Sequence, residues 1–125
     1  MSKPAIRALT VKTAKTSTFN VFRHGATIEK GGRVIACGVN TSKPRTPNSS
    51  FSIHAEIKVL KRLQTILARQ NKKESYELYV ARVNRTDSPA FSKPCEKCLA
   101  AMKDSGVIGF VHYTTDSDKW ESIKL

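Results

Sequence analysis

The segment YELYVARV (76–83) is apolar at almost every position. That fits a strand covered on both faces. Its neighbours supply the cover. Upstream, Ile53, Ile57, Leu60, Leu63 and Leu67 recur at helical steps, while Lys58, Lys61, Arg62 and Arg69 lie off that stripe, predicting an amphipathic helix. Downstream, Pro94 can open a helix at its first turn, Leu99 and Met102 supply an inner face, and Gly106 is placed to end it. VIGFVHY (107–113) reads as the next strand.

The rest of the chain completes the pattern. A short first helix is expected over residues 3–16, followed by a β-hairpin in which HGATIEK and RVIACGV flank Gly31-Gly32. TSKPRTPNSSFS (41–52) is expected as a loop. KWESIKL is a candidate short final strand; TTDSD before it is too short for a parallel crossover, so as a strand it should return antiparallel. Alternating helices and strands in this order predict a three-layer α/β/α sandwich, with a mixed sheet of four to five strands and helices on both faces.

Length and composition bound the function. The 125 residues fit one domain, 1–125, and 39% hydrophobic with 26% charged residues is ordinary soluble globular material. No apolar stretch approaches the roughly 18 residues of a membrane span, so no membrane partner is expected. The N-terminal segment lacks a secretory h-region, and three cysteines make a poor disulfide framework, so a cytoplasmic protein with free thiols is expected. The net charge of +12 points to polyanions, nucleic acid above all, or to a solvated surface with no specific partner; charge alone does not separate these.

The chemistry-bearing residues cluster at two predicted helix starts. His54-Ala55-Glu56 opens one helix and Pro94-Cys95-Glu96-Lys97-Cys98 opens the next. Cysteines at i and i+3 share a helical face, so both sulfurs can reach one metal, and a helix N-terminus favours the thiolate that zinc requires. One imidazole and two thiolates leave a fourth tetrahedral position open, the mark of a catalytic rather than a structural zinc. Glu56 beside such a metal is a candidate proton carrier; taken alone it would read as a solvated first-turn acid.

H-x-E followed by P-C-x-x-C resembles the zinc-binding signature of the cytidine and deoxycytidylate deaminase superfamily. RHGATIEKGGRVIACGVN (23–40), SIHAEI (52–57), SKPCEKC (92–98) and VIGFVHYTT (107–115) resemble that family's hairpin, two zinc segments and following strand, in family order. The resemblance implies a cytidine-deaminase-like fold, one zinc ion per chain held by His54, Cys95 and Cys98, and Glu56 as the proton shuttle. It also implies that Asn40 and the Ala55 main-chain N–H contact the substrate. Phe51 is a candidate for base stacking or a loop anchor, and Lys43 and Arg45 for meeting phosphate or for plain loop charge. Cys37 reads as a buried strand residue, His112 as a packing or hydrogen-bonding histidine, and Trp120 as a late core or edge residue. His24 is left at the pocket mouth or at a turn.

The substrate implied is cytosine in a free nucleotide of the dCMP type, with a homo-oligomer in keeping with relatives. Cytosine in single-stranded DNA or RNA is the alternative favoured by the charge, and tRNA adenosine or a binding module with structural zinc are further ones.

Overall fold

The structure is a computed structural model and describes residues 3–17, 23–42, 52–53, 55–70, 75–84, 86–116 and 119–125. The chain runs α1 (Lys3–Ala14), β1 (Arg23–Lys30), β2 (Arg33–Val39), β3 (Thr41–Ser42), β4 (Ser52–Ile53), α2 (Ala55–Gln70), β5 (Tyr76–Val83), β6 (Pro89–Ala90), α3 (Glu96–Ser105), β7 (Ile108–Thr114) and β8 (Trp120–Lys124). The main sheet has six strands in the order β2-β1-β5-β7-β8, with β6 on β5 beside that path. β5 and β7 are parallel, and the other pairings are antiparallel.

Strand alternation divides the core between the two faces. Ala26, Ile28, Leu78, Val80, Val111 and Tyr113 meet Val59, Leu60 and Leu63 of α2 and Cys98 and Met102 of α3. The other face carries α1, where Ala14 joins Ala81 and Val83. α1 buries Ile6, Thr10 and Ala14, one residue per turn, and the Thr10 hydroxyl reaches Thr27 Oγ1 at 3.0 Å. A Cβ on Gly25 would lie 2.5 Å from Ala14 N, so only glycine lets α1 approach β1 this closely. The hairpin closes through Gly31 and Gly32, both at positive φ as a tight two-residue turn requires.

The expected three-layer architecture is therefore present, with local differences. The sixth strand, β6, pairs Arg82 with Ala90 and Val83 with Pro89 where β5 outruns β7. α1 ends at Ala14 rather than 16. Ile53 belongs to β4, pairing with Thr41, so the ends of the expected 41–52 loop are tied in a two-residue ladder and α2 begins only at Ala55. Val59, not Ile53, completes the buried stripe of α2. Pro94 stands before the N-cap Cys95 instead of inside the first turn of α3, because the extended residue favoured before a helix is here Cys95. Cys98 and Met102 form the buried face of α3, and Leu99 is half-buried. Gly106 does end α3, its N–H donating to Lys103 O at 3.2 Å. β8 returns antiparallel to β7 as the short turn demands. Among the described residues no helix is long and apolar enough to cross a membrane.

Candidate active site

Two helix starts on one face of the sheet build the site. Ala55 and Glu56 form the beginning of α2, both buried, Glu56 being only 3% exposed. As the first residue of a helix, Ala55 contributes a main-chain N–H that no intrahelical carbonyl can reach. Cys95 caps α3 with extended backbone (φ −67°, ψ 165°), and its thiol makes no capping hydrogen bond. Cys98 follows one turn later, and the two sulfurs are 3.4 Å apart. Cys95 is exposed and Cys98 buried, so the pair spans the boundary between core and solvent.

Glu56 lies against Cys98. Burial pushes the Cys98 thiol up strongly, the neighbouring Glu56 carboxylate adds to this by its charge and by accepting the thiol proton in a hydrogen bond, and Cys95 contributes as well. A buried thiol beside an anion holds its proton until a cation reverses the local field.

Zinc fits this donor set. Two thiolates on one tetrahedral zinc, each at about 2.3 Å, would place their sulfurs roughly 3.7 Å apart. The observed 3.4 Å separation requires only a small opening. His54 lies outside the described residues, as do Phe51, Lys43 and Arg45. Among the described residues no group of three or more potential ligands is assembled.

Asn40 directly follows β2 and is buried. Its main-chain N–H donates to His24 O at 3.2 Å, while its side-chain oxygen accepts the His24 N–H at 3.0 Å and the Ser17 hydroxyl at 2.7 Å. The β3–β4 ladder pairs Thr41 with Ile53, which brings the end of β2 alongside the chain entering α2. Asn40 and Ala55, fifteen positions apart in sequence, are thereby carried to the same end of the sheet.

The remaining candidates separate from this cluster. His112 is on the α1 face, where Nδ1 meets Ser122 Oγ at 2.5 Å, Nε2 meets Glu77 Oε1 at 2.9 Å, and the ring stacks on Tyr79. It is a hydrogen-bonded packing residue, as expected. Cys37 is half-buried in the outer strand β2, less enclosed than expected, and its carbonyl accepts from Arg62. Trp120 sits on edge strand β8 against Tyr79, with the Arg7 guanidinium over its ring.

Sequence reasoning missed two groups. Ser92 and Thr114 form a buried hydroxyl pair just ahead of Cys95. Glu29 and Glu77 form a carboxyl pair on the α1 face. Nothing in their local sequence marks them, since each pair joins residues more than twenty positions apart.

Comparison with known proteins gives the family and the fold. A family model described as "Cytidine and deoxycytidylate deaminase zinc-binding region" matches residues 3–114. Among solved structures, cytidine deaminase from Burkholderia pseudomallei superposes with a TM-score of 0.69 at 15% identity, covering 99% of this chain and 93% of that one. The dCMP deaminase of cyanophage S-TIM5 superposes in its apo form with a TM-score of 0.58 at 23% identity, covering 92% of this chain and 88% of that one. Its complex with dCMP and dUMP gives 0.60 at 23% identity, covering 90% and 83%. No curated protein sequence gives a significant match. With a match across most of its length and two thiols converging beside a buried carboxylate, the chain belongs to the cytidine and deoxycytidylate deaminase family.

Proposed function

We propose that this protein hydrolyses the exocyclic amine of cytosine, on a free nucleotide of the dCMP type, releasing the uracil nucleotide and ammonia. The observation that carries the reading is the contact of a buried glutamate at the start of α2, Glu56, with Cys98, one of two convergent thiols at the start of α3. His54, Cys95 and Cys98 would hold one zinc ion per chain. When bound, zinc supplies Lewis-acid activation of water in such sites.

The protein's own residues do the rest. Glu56 takes a proton from the attacking water as oxygen bonds to C4, and returns it to the ring nitrogen N3. It then carries the second water proton to the departing amine as the C4–N bond breaks. Burial keeps the carboxylate out of bulk water, so its proton is exchanged with substrate rather than lost to solvent. The Ala55 N–H is set to donate to the base carbonyl and Asn40 to bind base or sugar, leaving Lys43 and Arg45 to meet phosphate. The cyanophage structure with dCMP and dUMP supports a nucleotide substrate for a chain of this fold.

Cytosine within a single strand is the second reading, favoured by the +12 charge and by Phe91, 46% exposed four residues before Cys95. The test incubates zinc-loaded protein with dCMP, CMP, cytidine and a cytosine-containing single-stranded oligonucleotide, following uracil formation. Faster turnover of dCMP than of cytidine is expected. Turnover of the oligonucleotide alone would transfer the assignment to the second reading. No uracil from any of the four would end the cytosine deaminase reading.

A further inference from the structure

The parallel pairing of β5 and β7 stops at Val80 and Tyr113, where β5 takes β6 as its partner instead. Two hydroxyls fill the fork. Thr114 Oγ1 donates its one proton to Ala90 O at 2.6 Å and accepts the Arg82 N–H at 3.2 Å. Ser92 Oγ accepts the Thr114 N–H at 2.9 Å and shares its own proton between Val80 O at 3.0 Å and Thr114 Oγ1 at 2.8 Å. The Ser92 N–H donates to Thr114 O at 3.0 Å, and the Phe91 N–H to Asp116 Oδ1, also at 3.0 Å.

Ser92 is 3% exposed and Thr114 1%, so these bonds do not compete with bulk water. Segment 90–92 is thus tied at once to β5, to β7 and to the turn beyond β7. Only Lys93 and Pro94 separate it from Cys95. Proline fixes its own φ and restricts the residue before it to extended backbone, so the link transmits position with little slack. Cys95 in turn starts α3 and sets where Cys98 lies.

We propose that the buried Ser92–Thr114 hydroxyl pair is the positioning device of the thiol pair, holding Cys95 and Cys98 at the geometry a bound metal requires. This rests on the reading of Cys95 and Cys98 as zinc ligands. The two residues touch neither metal nor substrate and act through the backbone that carries Cys95. Partners that orient ligands from behind change metal affinity by about 10–100-fold when removed.

The test compares Thr114→Val, which keeps the shape and loses the hydroxyl, with Thr114→Ser, which keeps the hydroxyl and loses a methyl. Ser92→Ala provides a second route to the same loss. Each protein is titrated with zinc against a chelator and loaded with cobalt(II) to read the thiolate-to-metal absorption. Unfolding of the metal-free form is followed alongside. Thr114→Val and Ser92→Ala should bind zinc at least about tenfold more weakly, with a weakened or shifted cobalt band, and Thr114→Ser should restore both. In wild-type protein, zinc should protect the Ser92 and Thr114 amides from exchange more than those of the β1–β2 hairpin, because coupling is reciprocal. That measurement decides the matter if the substituted proteins do not fold.

Wild-type zinc affinity in a folded Thr114→Val protein, or no added amide protection on zinc binding, would overturn the proposal. An equal fall in unfolding temperature for Val and Ser variants with unchanged zinc binding would also overturn it, showing a purely structural role. Failure of wild-type protein to take zinc would be seen before any substitution, and would remove the ligand assignment together with this proposal.

Discussion

The side-chain oxygen of Asn40 accepts the main-chain N–H of His24 at 3.0 Å. A main-chain N–H can only donate, so the atom facing it has to be Oδ1 and the amide cannot be flipped. With the Ser17 hydroxyl also on Oδ1 at 2.7 Å, both lone-pair positions of that oxygen are filled by protein, and the amide nitrogen is directed away from His24. In the proposed substrate contact Asn40 would act through its amide nitrogen, as a donor. Asn40→Asp keeps the acceptor for His24 and Ser17 but replaces the donor by an oxygen. Steady-state kinetics with dCMP should show KM raised roughly 10-fold or more, the cost of one lost hydrogen bond at a buried site, with a smaller change in kcat. Unchanged KM in the folded variant would remove Asn40 from substrate recognition.

Glu56→Gln isolates the proton transfers. The amide has the size of the carboxylate but cannot accept a proton, so kcat should fall by at least about 10²–10⁴. Zinc content should persist, because the ligands assigned to the metal are untouched. Metal analysis and turnover on the same preparation check both halves. Near wild-type turnover would refute the shuttle.

Cys95→Ala and Cys98→Ala should each abolish stoichiometric zinc and lower the unfolding temperature, because metal binding is coupled to folding. Cys98→Ala should cost more in the metal-free protein. Cys98 is packed in the core with Met102 and Val59, whereas Cys95 is exposed. Full zinc occupancy after either change would contradict the ligand assignment.

The Glu29–Glu77 pair predicts a pH dependence unrelated to catalysis. Burial raises Glu29 above the usual carboxylate range, and its bond to Glu77 and the Glu77 charge add to this against the opposing Gly32 N–H and Lys3. Burial also pushes Glu77 up, but the bonds from Glu29 and His112, with the nearby charges of His112 and Lys3, outweigh it and leave Glu77 lowered. The contribution of Glu29 is complete below its unfolded pKa and lost as pH rises through its folded one. That of Glu77 is present above its unfolded pKa and lost as pH falls through its folded one. Glu29→Gln holds a permanent donor toward Glu77. Denaturation midpoints measured as pH rises above the ordinary carboxylate range should lose the decline that wild type shows as Glu29 ionises, while the fall at lower pH remains. Identical profiles for both proteins would show that the pair shares no proton.

The main element order, the hairpin turn, the buried central strand and the shared face of the two cysteines were legible in the sequence, because each is written locally. Gly31-Gly32 forces its turn, the apolar run of β5 demands cover on both faces, and i, i+3 spacing puts Cys95 and Cys98 on one side of α3. Helix boundaries were less legible. Ile53 fits the apolar stripe of α2 by spacing, yet pairing with Thr41 draws it into a strand, since a ladder partner ten or more residues away leaves no local trace. Only the tertiary structure brought Glu56 against Cys98, turned the Asn40 amide, and joined Ser92 to Thr114 at the fork between β5 and β7. Sequence alone determined which chemistry this chain can carry, because residue type and short-range spacing decide it. The geometry in which that chemistry is held was settled by long-range hydrogen bonds between buried groups, whose partners are chosen by the packing of the sheet and not by their neighbours in the chain.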